Sequence, residues 1–425
     1  MLDRTIAPDF KQAQNISLIK PQHIKYGNGC NVFNFNSKDH ELVRIEWIFG
    51  NLRFDERKPL LNLVANAMLT EGTTTRTAAQ IADSIDYYGA FFQVDYGYDN
   101  CTVSLYSLNK HLQHTLPIVH DVLTNSVFPE KEITTYVKTH QQKLQVALQK
   151  NDVLARRQFN RAMYGNTIYG YAAEVADYQQ LNQADLQAHF RQMYQPANCT
   201  IVVAGRVDAE LTDLMSKHFD ADWTSQRPSA DTSQPELQPA TEHFYFVERA
   251  EAIQSAIRMG RPTINRSHPD FPKVQVLNTI LGGYFGSRLM ANIREDKGYT
   301  YGIGSAMTSL KQSGSIFIAT EVGADVCHAA LKEIQFEIDR LKTELVPEEE
   351  LSLVRNYMLG SLLGSLENVM SHADKFKNLY FSGLNYDYYD YYTNTIKSIT
   401  SDDILKLANQ YLDLDKFYKV VAGKY

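Results

Sequence analysis

From Glu41 the chain reads ELVRIEWIFGN, with apolar and polar positions alternating near a period of two, and AIQSAIRMGRP (252–262) repeats the habit. Branched and aromatic residues at that period predict strands. Each is followed by an apolar run at helical spacing, PLLNLVANAML (59–69) and FPKVQVLNTIL (271–281). Longer amphipathic helices are predicted for LQHTLPIVHDVLTNSV (112–127) and CHAALKEIQFEIDRLKTEL (327–345), where apolar residues recur every three or four positions. LNQADLQAHFRQMY (181–194) and ITSDDILKLANQYL (399–412) read as capped helices. In each, Asn182 or Ser401 precedes acidic residues that suit the positive end of the helix dipole. The tyrosine-rich NYDYYDYYTNT (Asn385–Thr395) is expected to be a further helix with a mixed packing and surface role.

The pattern occurs twice. TIVVAG ends at Gly205 and YKVVAG at Gly423, while VFPEKEI carries Pro129 and LVPEEEL carries Pro347; the two pairs share one separation along the chain. Several landmarks in the same order at a constant offset indicate duplication. Between the copies, TSQRPSADTSQPELQPATE (Thr224–Glu242) holds three prolines and almost nothing apolar, a composition that favours an extended, solvated linker. The expected architecture is α+β: a half over 1–222, a linker over 223–242 and a second half over 243–425. Each half would be a mostly antiparallel sheet covered by helices.

Bulk properties narrow the function classes. At 425 residues the chain exceeds one ordinary core. A net charge of −7 with no basic block argues against a nucleic-acid surface. No apolar run approaches the roughly 20 residues of a membrane span. The opening MLDRTIAPDFKQAQN lacks the apolar segment of a secretory signal. Cys30, Cys101, Cys199 and Cys327 form no paired spacing, so neither disulfides nor a zinc knuckle are expected. A cytoplasmic protein is the expectation, or a periplasmic one had a leader been removed.

The chemistry turns on residues 60–73, LLNLVANAMLTEGT. Leu60, Val64 and Met68 recur every four residues, as do Leu63 and Ala67, which by itself describes a buried core helix. Its context is KYGNGCNVF (25–33), the strand ELVRIEWIFGN, the helix ending in MLTEGT, and RTAAQIADSIDYYGAFFQVDYGYDNCTVSLYSL. Together these resemble the N-terminal half of the insulinase-like zinc peptidases, the family of pitrilysin and mitochondrial processing peptidase. The resemblance extends over nearly the whole chain. In that family this helix bears H-x-x-E-H ahead of M-L-x-x-G-T. Two histidines four apart grip zinc, and the glutamate takes a proton from metal-bound water. Anchored on MLTEGT, those positions are Leu63, Asn66 and Ala67. Leucine and alanine have no lone pairs to donate, and an amide is no general base. The family's third ligand, a glutamate on a later long helix, falls in KTHQQKLQVALQKND (138–152), which offers Gln141, Gln142 and Gln145 but no acid before Asp152. His111 with His114, His140, and Cys327 with His328 are too scattered to replace it, since a site needs three or more convergent ligands. No zinc is expected in this chain.

The second half contains LGGYFGSRLMANIREDKGYTYGIGSAM (281–307). Its glycines are no phosphate loop, because no G-K-[ST] follows. Close backbone packing explains them as well as ligand contact does. The segment resembles the family's C-terminal half, where an arginine and a tyrosine seven apart reach the zinc site of a facing domain; Arg294 and Tyr301 match. Residue type alone leaves open that Arg294 complements a helix end and Tyr301 packs in a strand. The resemblance assigns both to substrate binding, with Gly282 and Gly283 as secondary peptide contacts.

What the resemblance implies is a catalytically inert subunit paired as a heterodimer with an H-x-x-E-H subunit that holds the zinc and supplies the base, acting on unfolded peptides. Whether the chain alone forms a homodimer is left open by the sequence. Two alternatives stand beside it: a non-catalytic scaffold of the same fold, and a self-sufficient peptidase with unorthodox ligands.

Overall fold

The computed structural model describes Thr5 and residues 17–224 and 230–425. The polar opening stretch apart from Thr5, and residues 225–229 of the expected linker, lie outside the described residues. The first half begins with β1 (Gln22–Lys25), β2 (Asn31–Asn36) and β3 (Leu42–Gly50). It continues through α1 (Leu61–Ala67), α2 (Ala78–Tyr87), β4 (Phe91–Tyr96), β5 (Asn100–Leu108) and α3 (Leu112–Asn125). Then come α4 (Glu130–Ala147), α5 (Asn151–Tyr164), α6 (Val175–Gln179), α7 (Gln183–Met193), β6 (Cys199–Gly205) and α8 (Ala209–Ser216). The second half runs β7 (Phe244–Glu248), β8 (Gln254–Thr263), α9 (Phe271–Asn278), β9 (Thr300–Ser309) and β10 (Gly314–Gly323). It closes with α10 (Cys327–Thr343), α11 (Glu348–Gly364), α12 (Val369–Tyr380), α13 (Asp387–Ser398), α14 (Ser401–Tyr411) and β11 (Tyr418–Gly423).

The two sheets have one topology. The first is ordered β1-β2-β6-β3-β5-β4 and the second β7-β11-β8-β10-β9, the same arrangement without the outer strand. In the first, β6 inserts parallel to β2 and antiparallel to β3; in the second, β11 inserts parallel to β7 and antiparallel to β8. The repeated landmarks fall at matching places. Gly205 and Gly423 end the inserted strands with φ of 141° and 140°, each where a Cβ would collide with neighbouring atoms, Leu42 O in one case and Ser255 Oγ in the other. Pro129 and Pro347 each stand immediately ahead of a long helix, α4 and α11.

Local signals were mostly read correctly, with small shifts. Asn182 caps α7, accepting from Asp185 N–H at 3.0 Å. The cap of α14 is Thr400 and not Ser401, because the Thr400 hydroxyl accepts from Asp403 N–H while Asp403 returns the bond to Thr400 N–H. The run at 59–69 forms a helix only over Leu61–Ala67, and 271–281 is α-helical to Asn278 before opening into a π-helical turn over Thr279–Gly283. The described linker residues 230–240 form no helix or strand and are pinned rather than free. Asp231 O accepts from Arg53 N–H and Ala240 N–H donates to Ala162 O, both at 2.8 Å.

β3 is buried at every position from Val43 to Phe49, so both its faces are covered. One face carries Val43, Ile45, Trp47 and Phe49 into the first core, beneath α1, α3 and α7. The other meets α12, which belongs to the second half: Val369, Ala373 and Phe376 pack on Phe33, Phe35, Ile48, Val202 and Ala204. The exchange is reciprocal. Ala155, Phe159, Ala162 and Met163 of α5, from the first half, cover Ala256, Tyr418, Val420 and Ala422 of the second sheet. A charged group closes one of these seams. Arg44 on β3 contacts Glu46 at 3.2 Å and Asp374 of α12 at 2.8 Å, and Lys377 bridges Glu46 at 2.6 Å and Asp374 at 2.9 Å. Two cations and two anions neutralise one another there, as a buried charge requires.

We predict that Phe376→Ala destabilises the protein by about 3–5 kcal/mol in urea unfolding, because it empties the centre of this seam. A loss below about 1 kcal/mol would show that α12 does not anchor the halves.

Candidate functional site

Helix α1 carries the residues that the resemblance aligns with a metal-binding helix, and its side-chain amides are already engaged. Leu63 and Ala67 are partly buried, and Leu63 packs against the first core. Asn66 is only 1% exposed, and its side-chain oxygen accepts from the Tyr194 hydroxyl at 3.0 Å. One turn earlier, the Asn62 oxygen accepts from Leu52 N–H at 3.0 Å and from His189 Nε2 at 3.1 Å, while its amide donates to Leu52 O. Two amides at i and i+4 thus bind α1 to α7 and the chain just after it. Asn66 thus presents an amide whose oxygen already holds a phenol.

The other candidate ligands do not gather. Gln141 donates to Val175 O at 3.0 Å, whereas Gln142 and Gln145 point into solvent-exposed positions of α4. His140 stacks on Tyr136 with ring centres 3.7 Å apart. His114 stacks on Tyr88, with His111 on the same ring. Cys327 is buried, and His328 lies against Tyr425. Among the described residues no group of three or more His, Cys, Asp or Glu side chains is arranged to hold a metal ion. The residues at the family's zinc positions therefore do not fit that metal.

Arg294 and Tyr301 do come together. Arg294 lies in a π-helical turn over Met290–Asp296, and the chain reverses at Gly298, whose φ is +66°. Tyr299 N–H donates back to Ile293 O at 3.0 Å, which sets the start of β9 beside the turn. Arg294 Nε then donates to the Tyr301 carbonyl at 3.0 Å. The Tyr301 side chain is 93% exposed, so it does not pack in its strand. Its outward course follows from a bulge: Thr300 pairs with Val322 and Ile303 with Thr320, leaving two residues, Tyr301 and Gly302, opposite Glu321 alone. Gly282 is buried, and a Cβ there would lie 2.6 Å from Ser305 N, so close packing against β9 accounts for its size. Gly283 is exposed beside it.

Comparison with known proteins places this geometry. The sequence profile described as "Insulinase (Peptidase family M16)" matches residues 63–175, beginning at Leu63, and that described as "Peptidase M16 inactive domain" matches 180–358. The chain belongs to the insulinase (M16) peptidase family. M16 relatives in sequence include a Rickettsia felis protein named an uncharacterized zinc protease, 26% identical over 94% of this chain and 95% of its own length. The uncharacterized zinc protease YmxG of Bacillus subtilis is 26% identical over 72% of this chain and 75% of its own length. In fold, the chain is similar to a peptidase M16 inactive domain from Pseudomonas fluorescens, with a TM-score of 0.85 and 22% identity over 95% of this chain and 98% of that one. It is also similar to the periplasmic protease PqqL from Escherichia coli, at TM-score 0.77 and 17% identity, over 99% of this chain and 49% of that one. No helix among the described residues is long and apolar enough to cross a membrane.

The contact between α1 and α7 has a pH signature. Burial pushes the His189 imidazole down to about 4 from an ordinary value of 6.5. A histidine held neutral in the fold adds stability that is full above pH 6.5 and is lost as pH falls through 6.5 toward 4. We predict a loss of about 2 kcal/mol between pH 7 and pH 5 from this group. His189→Gln, which keeps a donor for Asn62, should flatten that drop when urea midpoints are compared at the two pH values. An unchanged drop in the variant would remove His189 as its source.

Proposed function

We propose that this chain is the catalytically inert subunit of a two-chain M16 peptidase. Arg294 and Tyr301 would hold an unfolded peptide against a zinc centre carried by an H-x-x-E-H partner. The observation that carries the reading is Tyr301: a large polar side chain 93% exposed on a bulged strand, with an arginine tied to its own carbonyl. A guanidinium and a phenol O–H are donors suited to peptide carbonyl oxygens and to the negative charge that grows on the scissile one. In this chain they have nothing to assist, because the positions of the zinc ligands and base hold Leu63, Ala67 and Asn66. Donors kept where the metal site has been replaced by apolar and amide side chains fit a division of labour between two polypeptides.

In this reading the chain's own contribution is orientation. Its donors fix the peptide backbone and complement developing charge, while the metal chemistry belongs to the partner. Four buried free thiols suit a reducing compartment, and we assign the pair to the cytoplasm.

The test is reconstitution with a homologous two-half protein that carries H-x-x-E-H. We predict no peptide hydrolysis by this chain alone and activity from the mixture. Arg294→Ala and Tyr301→Phe should each lower kcat/KM at least about tenfold, the lower range for losing a transition-state donor. Full activity in both variants would refute their roles and favour a scaffold. Hydrolysis by this chain alone would refute the inert-subunit reading.

A further inference from the structure

Arg294 is held at two points, and only one of them involves Tyr301. The other is Phe285, in the glycine-rich loop that follows the π-helical turn ending at Gly283. The centre of its ring lies 4.8 Å from the Arg294 Cζ, with the guanidinium over the ring. Phe285 is 64% exposed, so it contributes little to any core. A single exposed phenylalanine needs no explanation. One placed under an arginine that is itself bonded at Nε does something specific: it removes the rotation left about the Nε bond.

The resulting arrangement is well defined. Nε is occupied by the Tyr301 carbonyl, and one face of the guanidinium is occupied by the ring. Nη1 has a 3.9 Å approach to Glu295, too long for a hydrogen bond. The terminal nitrogens of a planar group held along one edge and on one face point in a single direction. The Tyr301 side of the pair is fixed independently. The Thr300 hydroxyl donates to Glu321 O at 2.6 Å and accepts from Gly302 N–H at 3.1 Å, and the Thr320 hydroxyl lies 3.0 Å from it and from Gly302 O. These hydroxyls secure the bulge that turns Tyr301 outward. The guanidinium and the backbone that carries Tyr301 are therefore set before any ligand arrives, which reduces the ordering cost of binding.

We infer that Phe285 is a positioning residue: it stacks on Arg294 and holds its terminal nitrogens in the direction in which a peptide carbonyl would meet them beside Tyr301. The inference rests on the proposed role of Arg294 in peptide binding only for its consequence, not for its geometry. It also makes the loop's contribution that of a side chain acting through Arg294.

The experiment uses the full chain with nitrogen-15-labelled arginine. The Arg294 Nε–H signal is assigned by its absence in Arg294→Lys, and its exchange with water is measured in the wild type, Phe285→Leu and Phe285→Trp. Exchange should quicken at least about tenfold in Phe285→Leu, which keeps bulk but loses the π face, and return to the wild-type rate in Phe285→Trp. Thermal midpoints should stay the same, since the residue is exposed. Wild-type exchange in Phe285→Leu would overturn the inference whatever the effect on activity. Hydrolysis by the mixture with an H-x-x-E-H partner separates the two claims. If exchange quickens and kcat/KM falls in Phe285→Leu, while Phe285→Leu adds no further loss to that of Arg294→Ala, both stand. If exchange quickens while Arg294→Ala leaves hydrolysis intact, Phe285 still positions Arg294, and the peptide-binding role of Arg294 fails.

Discussion

The exchange of α5 and α12 is the constraint on which the rest of the molecule depends. Each sheet presents two apolar faces, and the helices of its own half cover only one. The other face is covered by a helix from the opposite half, Phe376 over Phe33 and Phe35 in one direction and Phe159 beside Val420 in the other. Separating the halves would expose both apolar faces to water at a cost of about 25 cal/mol per Å². It would also strip Arg44 and Glu46 of their α12 partners. The degenerate helix and the Arg294–Tyr301 pair therefore sit on one stiff frame, and a partner would meet a surface already shaped.

Within that frame, the side-chain amides of α1 serve the fold. A helix that holds zinc must present polar groups to a ligand, and polar groups left without partners beside a core are costly. Here Asn62 and Asn66 turn their amides to His189, Leu52 and Tyr194, all within the protein. The apolar replacements at 63 and 67 need no partners. The helix ties α7 to the loop before α1, a structural duty that does not require metal.

Much of this was legible in the chain itself. The duplication was visible from Gly205, Gly423, Pro129 and Pro347, because strand ends and helix starts make demands that few residues meet. The incapacity of Leu63 and Ala67 to bind metal followed from side-chain chemistry alone. Other features lay beyond the pattern. Helical periodicity shows that Val369, Ala373 and Phe376 share an apolar face, but not that this face belongs to the first sheet, whose β2 and β3 lie more than three hundred residues upstream. Strand propensity suggested that Tyr301 could pack in its sheet, yet a bulge set by the Thr300 and Thr320 hydroxyls turns it to solvent. Phe285 gave no signal among so many glycines, since stacking on Arg294 depends on where a turn closes. The shift of one helix cap from Ser401 to Thr400 has a similar origin: either hydroxyl could cap, and the returned bond from Asp403 decides.

Metal content tests the division of labour between two polypeptides most directly. The chain, purified alone, exposed to zinc and dialysed against metal-free buffer, should retain far less than one zinc per molecule by elemental analysis. One firmly held zinc per chain, lost on chelation and ligated by its own side chains, would contradict the assignment of all hydrolytic chemistry to a second polypeptide.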